Sequence, residues 1–166
     1  MAIRANHYDA AFEEHLRALR VPYVSVDETR RALLADASLK SFDFIVESPG
    51  RNLLADVKGR LWRGKGGRRW ENWATEDDVA SLLKWEGVFG GGFRAALVFA
   101  YHFEGEPPEE CAEAFEHAGR RYFFSMAWVD EYAGFMRRRS ASWETVSVPA
   151  AEFAQIRRPL AEVLGA

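Results

Sequence analysis

The spacing of apolar positions changes several times along the chain, and each change marks an element. Tyr8, Phe12, Leu16 and Leu19 recur at helical spacing, which predicts an amphipathic helix from Asn6 to Arg20 with Asn6 as its cap. Pro22 ends it, because the residue before a proline is pushed to extended geometry, and Val21 to Val26 reads as a short strand. Asp27 to Ala37 reads as a second, shorter helical stretch or a loop. Phe42 to Glu47 is a strand, Ser48-Pro49-Gly50-Arg51 is turn chemistry, and Asn52 to Lys58 is the return strand of a hairpin. Gly59 to Trp73, rich in glycine, reads as a flexible excursion. Thr75 caps a helix with Glu76, Asp77 and Asp78 in its first turn and Val79, Leu82, Leu83, Trp85 and Phe89 on its buried face. Gly90-Gly91-Gly92 ends that helix, and the apolar run Ala95 to Phe103 suits a central strand covered on both faces. Glu104 to Arg120 reads as an acidic surface insertion with a short helix, and Tyr122 to Val129 as a strand. A helix from Asp130 to about Arg139, an edge strand Trp143 to Val148 and a terminal helix Pro149 to Leu164, interrupted at Pro159, complete the chain.

The order helix, strand, strand, strand, helix, strand predicts an α/β (α+β) fold, a mixed central sheet flanked by helices. The core runs from about residue 6 to 103, and 104 to 166 is a C-terminal extension adding strand and helices within one domain of 166 residues. No apolar run approaches the ~20 residues of a membrane span, so no membrane partner is expected. No apolar leader follows Met1, and the one cysteine, Cys111, excludes an internal disulfide; a reducing, cytoplasmic location follows as the expectation.

Net charge is −3, yet Val57 to Trp70 holds six basic residues and no acid. Arginine interleaved with tryptophan suits phosphate contact plus base stacking. The nucleic-acid candidates in this stretch are Arg60, Arg63, Lys65, Arg68 and Arg69, with Trp70 as the stacking residue. The plainer reading is a solvated loop whose Trp70 and Trp73 fold back onto the core. Arg137-Arg138-Arg139 ends a predicted helix, where the macrodipole accounts for it; an extended DNA-binding surface is the other reading.

The chemistry is concentrated in Asp43 and in Asp56-Val57-Lys58, on the two strands of the predicted hairpin. Alternation puts Asp56 and Lys58 on one face, ~6.5–7 Å apart along the strand. An acid among apolar strand residues must be paired or bind a metal. Two aspartates and the Val57 carbonyl form a hard-oxygen set for Mg²⁺ or Mn²⁺, and Lys58 can hold a water beside it. Taken alone, Asp56 and Lys58 also read as a strand ion pair. His15, His102 and His117 show no ligand spacing. His7 reads more simply as a helix-end residue than as a substrate contact.

These residues resemble the PD-(D/E)xK nuclease superfamily, which includes restriction endonucleases and archaeal Holliday-junction resolvases. The resemblance implies a restriction-endonuclease-like αβββαβ core, with Asp43 as the first acid and Asp56-Val57-Lys58 as the second motif. Phe42 stands where the superfamily usually has proline, and the resemblance to resolvase-like members makes Lys40, just before the Asp43 strand, a phosphate-contact candidate. It implies further that Glu13 on the first helix reaches the metal directly or through water, although Asp9 and Glu13 also suit a solvated acidic face. His7-Tyr8-Asp9-Ala10-Ala11-Phe12-Glu13 resembles the string that names the bacterial HYExAFE family, with Asp9 in place of the usual Glu, and Trp70-Glu71-Asn72-Trp73 and Val98-Phe99-Ala100-Tyr101 extend the match. The implied function is metal-dependent hydrolysis of DNA, by analogy as a homodimer. A catalytically inactive nucleic-acid-binding module of the same fold and a protein-interaction subunit are the competing expectations.

Overall fold

The protein, seen in a computed structural model, is described over residues 6–27, 31–34, 37–63, 70–111 and 114–165. Helix α1 (His7–Ala18) starts where the Asn6 side chain accepts the Tyr8 N–H at 2.9 Å, and it buries Ala11, Phe12 and Leu16. Strands β1 (Tyr23–Ser25), β4 (Phe44–Val46) and β5 (Asn52–Trp62) follow, interrupted by a hairpin of β2 (Arg31–Leu34) and β3 (Ala37–Lys40). After β6 (Ala74–Thr75) comes α2 (Glu76–Phe89), the crossover that lets β7 (Phe93–Phe103) pair parallel to β5. β8 (Phe115–His117), β9 (Arg120–Trp128) and α3 (Val129–Phe135) precede a second hairpin, β10 (Arg137–Ser140) and β11 (Thr145–Ser147). The chain ends in α4 (Ala150–Ile156), β12 (Arg158–Pro159) and α5 (Leu160–Leu164).

Among the described residues the main sheet has seven strands in the order β1-β4-β5-β7-β9-β12, with β8 on β9. Among the described pairings of this sheet, β5–β7 alone is parallel. β7 lies at the centre, and its run reads as expected. Ala96, Val98 and Ala100 face α1, and Ala95, Leu97, Phe99 and Tyr101 face α2 and the C-terminal extension. β12 joins the main sheet through β9, while β10-β11-β6 forms a separate three-stranded sheet at the start of α2.

Several expectations are corrected. Arg31–Leu34 and Ala37–Lys40 form a hairpin rather than a helix or loop. Leu39 is buried and β3 packs on α2, so tertiary burial overrides the weak helical preference of this Ala/Leu-rich stretch. The strand after the turn runs on to Trp62, because pairing with β7 carries its backbone through Gly59. Leu83 is 38% exposed and is not part of the buried face of α2. α3 stops at Phe135, and Arg137–Ser140 is extended, so the three arginines do not sit at a helix C-terminus.

Gly59 is fixed by contact: a Cβ there would lie 2.1 Å from the Tyr8 ring. Gly59→Ala should destabilise by roughly 1–3 kcal/mol in urea unfolding, with part of the loss recovered by adding Tyr8→Ala. His15 stacks on Phe124 at 4.8 Å and has a buried Nδ1 with no partner among the described residues. Burial lowers its pKa to about 4. The unfolded chain therefore takes up this proton first, and stability drains as pH falls from about 6.5 toward 4, by on the order of 2 kcal/mol. His15→Phe should move acid unfolding, followed by circular dichroism, to lower pH; an unchanged midpoint would refute the assignment.

Candidate active site

β5 is an interior strand whose two faces differ sharply. On the α1 side Leu53, Ala55 and Val57 pack in the core. On the α2 side Leu54 and Trp62 bracket Asp56, Lys58 and Arg60. Asp56 and Arg60 are buried, and the Lys58 side chain is 15% exposed. Charges in that position are tolerated only if each finds a partner.

Lys58 finds two. Its Nζ lies 2.9 Å from Asp56 Oδ2 and 2.9 Å from Asp78 Oδ2. Burial alone would lower the Lys58 pKa, but the two carboxylates outweigh it and hold the ammonium above its ordinary range. Asp78 is placed by its own helix. Thr75 caps α2 by accepting the Asp78 N–H at 3.0 Å, and the Asp78 carboxylate accepts the Thr75 N–H at 2.9 Å. The same carboxylate meets Lys40 Nζ. Burial works to raise the Asp78 pKa; Lys58, Lys40 and the Thr75 N–H together hold it well below the carboxylate range. Lys40 is fixed further, its N–H donating to Ser81 Oγ at 3.1 Å and its carbonyl accepting from Trp85 Nε1 at 2.9 Å.

Asp43 is buried at the point where β4 leaves β5. Its N–H donates to the Ala55 carbonyl at 3.0 Å, and its Oδ2 accepts the Val57 N–H at 2.6 Å. The carboxylate thus takes over from the β4 backbone as hydrogen-bond acceptor, one residue from Asp56.

The structure therefore brings Asp43, Asp56, Val57 and Lys58 to one short stretch of β5 and adds Asp78. Among the described residues no three His, Cys, Asp or Glu side chains gather as a metal-ligating group. Glu13 lies on α1, which packs on the opposite face of the sheet; it accepts from Tyr23 Oη at 2.8 Å and pairs with Arg17 at 3.1 Å. Arg60 is turned inward. It donates to the Gly59 carbonyl at 2.6 Å and to the Trp73 carbonyl, with its guanidinium 3.9 Å over the Trp73 ring. Trp70 packs against Trp62 and Tyr101, under the Arg157 guanidinium at 4.4 Å. Arg63 is exposed; Lys65, Arg68 and Arg69 lie outside the described residues.

Asp78 was legible only as a first-turn acid after Thr75. Asn72 stood out only as a member of the string Trp70 to Trp73, with no role of its own, yet its side chain clamps Val148 through 3.0 Å and 2.7 Å hydrogen bonds and its carbonyl accepts from Tyr132 Oη at 2.7 Å.

A solved structure shares this arrangement of elements. Hjc, a Holliday junction resolvase from the archaeal hyperthermophile Archaeoglobus fulgidus, is similar with a TM-score of 0.55 over 96% of this chain and 98% of its own, at 13% identity. The chain has a restriction-endonuclease-like fold. The restriction-endonuclease-like core comprises α1, β1, β4, β5, α2 and β7, and the β2–β3 hairpin is inserted between its first two strands. No protein-family model and no curated protein matches the chain.

Removing the Asp78 carboxylate leaves Lys58 with Asp56 alone, takes away the ion pair of Lys40 and removes the side-chain half of the α2 capping box. Asp78→Ala should cost about 3–5 kcal/mol, and Asp78→Asn less. The Asp78 pKa is lowered and the Lys58 pKa raised. The pair therefore stabilises fully between about pH 4 and 10.5, and it weakens below as Asp78 protonates and above as Lys58 loses its proton. Urea unfolding should give a flat difference between wild type and Asp78→Asn from pH 5 to 9, narrowing outside that window.

Proposed function

We propose that the protein hydrolyses phosphodiester bonds of DNA with a bound Mg²⁺ or Mn²⁺, as a structure-specific nuclease. The observation that carries this reading is the convergence of Asp43 and Asp56-Val57-Lys58 at the point where β4 leaves β5. The donor chemistry fits a hard cation. In a strand a residue's N–H and C=O point to the same edge, so the Val57 carbonyl faces the edge where Asp43 accepts the Val57 N–H. Asp43, Asp56 and that carbonyl would hold the ion, and water or phosphate oxygens would complete its shell. When bound, the ion lowers the pKa of its water and offsets charge on the phosphoryl oxygens. Glu13, on the other face of the sheet, would act only through water.

Lys58 remains an ammonium at neutral pH, so it donates rather than abstracts a proton. Its place beside Asp56 suits it to hold the attacking water or a phosphate oxygen. Asp78 keeps that ammonium charged and aimed, acting through Lys58 as a positioning residue. Lys40, tied to the same carboxylate and 38% exposed, is the nearest additional phosphate contact. Arg63, with Lys65, Arg68 and Arg69, would supply more.

Kinship with the HYExAFE family is proposed with this reading, on the string His7 to Glu13. Assembly as a homodimer and a cytoplasmic location accompany it; among the described residues no helix is long and apolar enough to cross a membrane. The inactive DNA-binding module is the second reading. It is favoured by the ion pairs that Lys58 already makes with both Asp56 and Asp78.

Incubation of supercoiled, single-stranded and four-way-junction DNA with Mg²⁺ or Mn²⁺ tests these readings. Cleavage should be lost with chelator and fall at least about 100-fold in Asp43→Asn, Asp56→Asn and Lys58→Ala. Asp78→Asn should lower the turnover rate about tenfold with little change in DNA affinity. Cleavage that survives Asp56→Asn, or metal-independent binding without cleavage of any substrate, would overturn the catalytic reading.

A further inference from the structure

The β10–β11 hairpin carries charge and aromatic surface that the site above does not use. Arg137, Arg138 and Arg139 are consecutive and exposed, on an edge strand of the three-stranded sheet. Trp143, in the turn between the strands, is 78% exposed. Burial accounts for neither feature: adjacent like charges repel, and an exposed indole forfeits the stabilisation of burial. Arg138 reaches Glu76 only at 3.4 Å, with its side chain 67% exposed, a contact of little energetic worth. The turn is nonetheless held. The Trp143 N–H donates to Ser140 Oγ at 3.3 Å, and the Glu144 N–H to the Ala141 carbonyl at 3.3 Å, with Glu144 at φ 50°. The indole is presented to solvent by an ordered backbone.

The hairpin also stands beside the proposed site. β11 pairs with β6, Thr145 opposite Thr75, and Thr75 is the cap that positions Asp78. The Arg139 guanidinium lies 5.3 Å from the Trp73 ring, which Arg60 contacts at 3.9 Å; Arg60 is two residues beyond Lys58 on the same face of β5. The arginine edge is thus linked to the site through Trp73 and Arg60 and through the pairing of β11 with β6 at Thr75.

We propose that the β10–β11 hairpin is a DNA-contacting wing, with Arg137 and Arg139 meeting phosphates and Trp143 stacking on an unpaired base. This deepens the DNA-cleaving reading and rests on it. Charge complementarity selects the occupant. A chain of net charge −3 holds this edge basic, and screening beyond ~8–10 Å lets it act locally. A second copy pairing edge to edge would set arginines against arginines, which disfavours self-association here. A flat aromatic surface beside guanidinium groups is the combination that holds single-stranded DNA.

Fluorescence anisotropy with single-stranded DNA, a four-way junction and a blunt duplex, in chelator and across a salt series, tests the wing separately from cleavage. Arg137→Ala with Arg139→Ala should weaken binding to all three about tenfold near 0.1 M salt and reduce the salt slope by about 2. Trp143→Ala should weaken the single strand and the junction about tenfold and leave the duplex unchanged. These residues are exposed, so unfolding midpoints should stay at the wild-type value. Unchanged affinity and slope in both variants, with the wild type binding, would overturn the wing and leave the nuclease reading standing. A shift in self-association by sedimentation, with DNA binding unaltered, would overturn it in favour of an edge between copies. No binding of DNA by the wild type would bring down both.

Discussion

Three charged side chains in the middle of one face of an interior strand constrain everything around them. Asp56, Lys58 and Arg60 alternate with core residues on β5 and cannot stay there without partners. Asp78 from α2 answers Lys58, and the Trp73 carbonyl and ring answer Arg60. The start of α2 and the segment before it are therefore pinned to β5 by polar contacts, while the rest of α2 is held by Val79 and Leu82. The same contacts leave Lys58 charged and held between two carboxylates.

The cap of α2 consequently has two functions. The capping box is a local device that satisfies the first N–H groups of the helix. Because Asp78 is also the partner of Lys58 and Lys40, the helix start, the β2–β3 hairpin and the strand share one carboxylate. On the far side of the sheet, the contact of Tyr8 with Gly59 holds α1 close to the strand one residue past Lys58. Chemistry of the kind proposed needs rigid carboxylates, and here they are anchored from both layers.

The C-terminal extension is part of the same architecture. Asn72 and Tyr132 bind the segment before α2 to Val148, and β12 completes the main sheet on β9. Trp70, expected as a stacking residue, is an anchor in that seam, and Arg60 is a brace beneath Trp73. The basic character that the sequence concentrates between Val57 and Trp70 thus divides in space. Arg60 turns inward, Arg63 outward, and a second basic edge comes from Arg137 to Arg139.

Local physics made much of this legible. The Asn6 and Thr75 caps, the apolar stripe of α1, the central run of β7 and the hairpin carrying Asp43 and Asp56-Val57-Lys58 all follow from periodicity, capping and turn chemistry, which act within a few residues. Whatever depended on contacts distant in sequence was not legible. The β2–β3 hairpin exists because Leu39 and Lys40 find α2 some forty residues later in the chain, at Ser81 and Trp85. Asp78 is an ordinary first-turn acid until α2 crosses to β5 and sets it against Lys58. Arg137 to Arg139 ended a helix on paper, and pairing with β11 drew them into an edge strand instead. Sequence determined which groups could do chemistry, because charge and period are written residue by residue; only the tertiary structure decided which of them meet, because burial gives each charge the partner it requires.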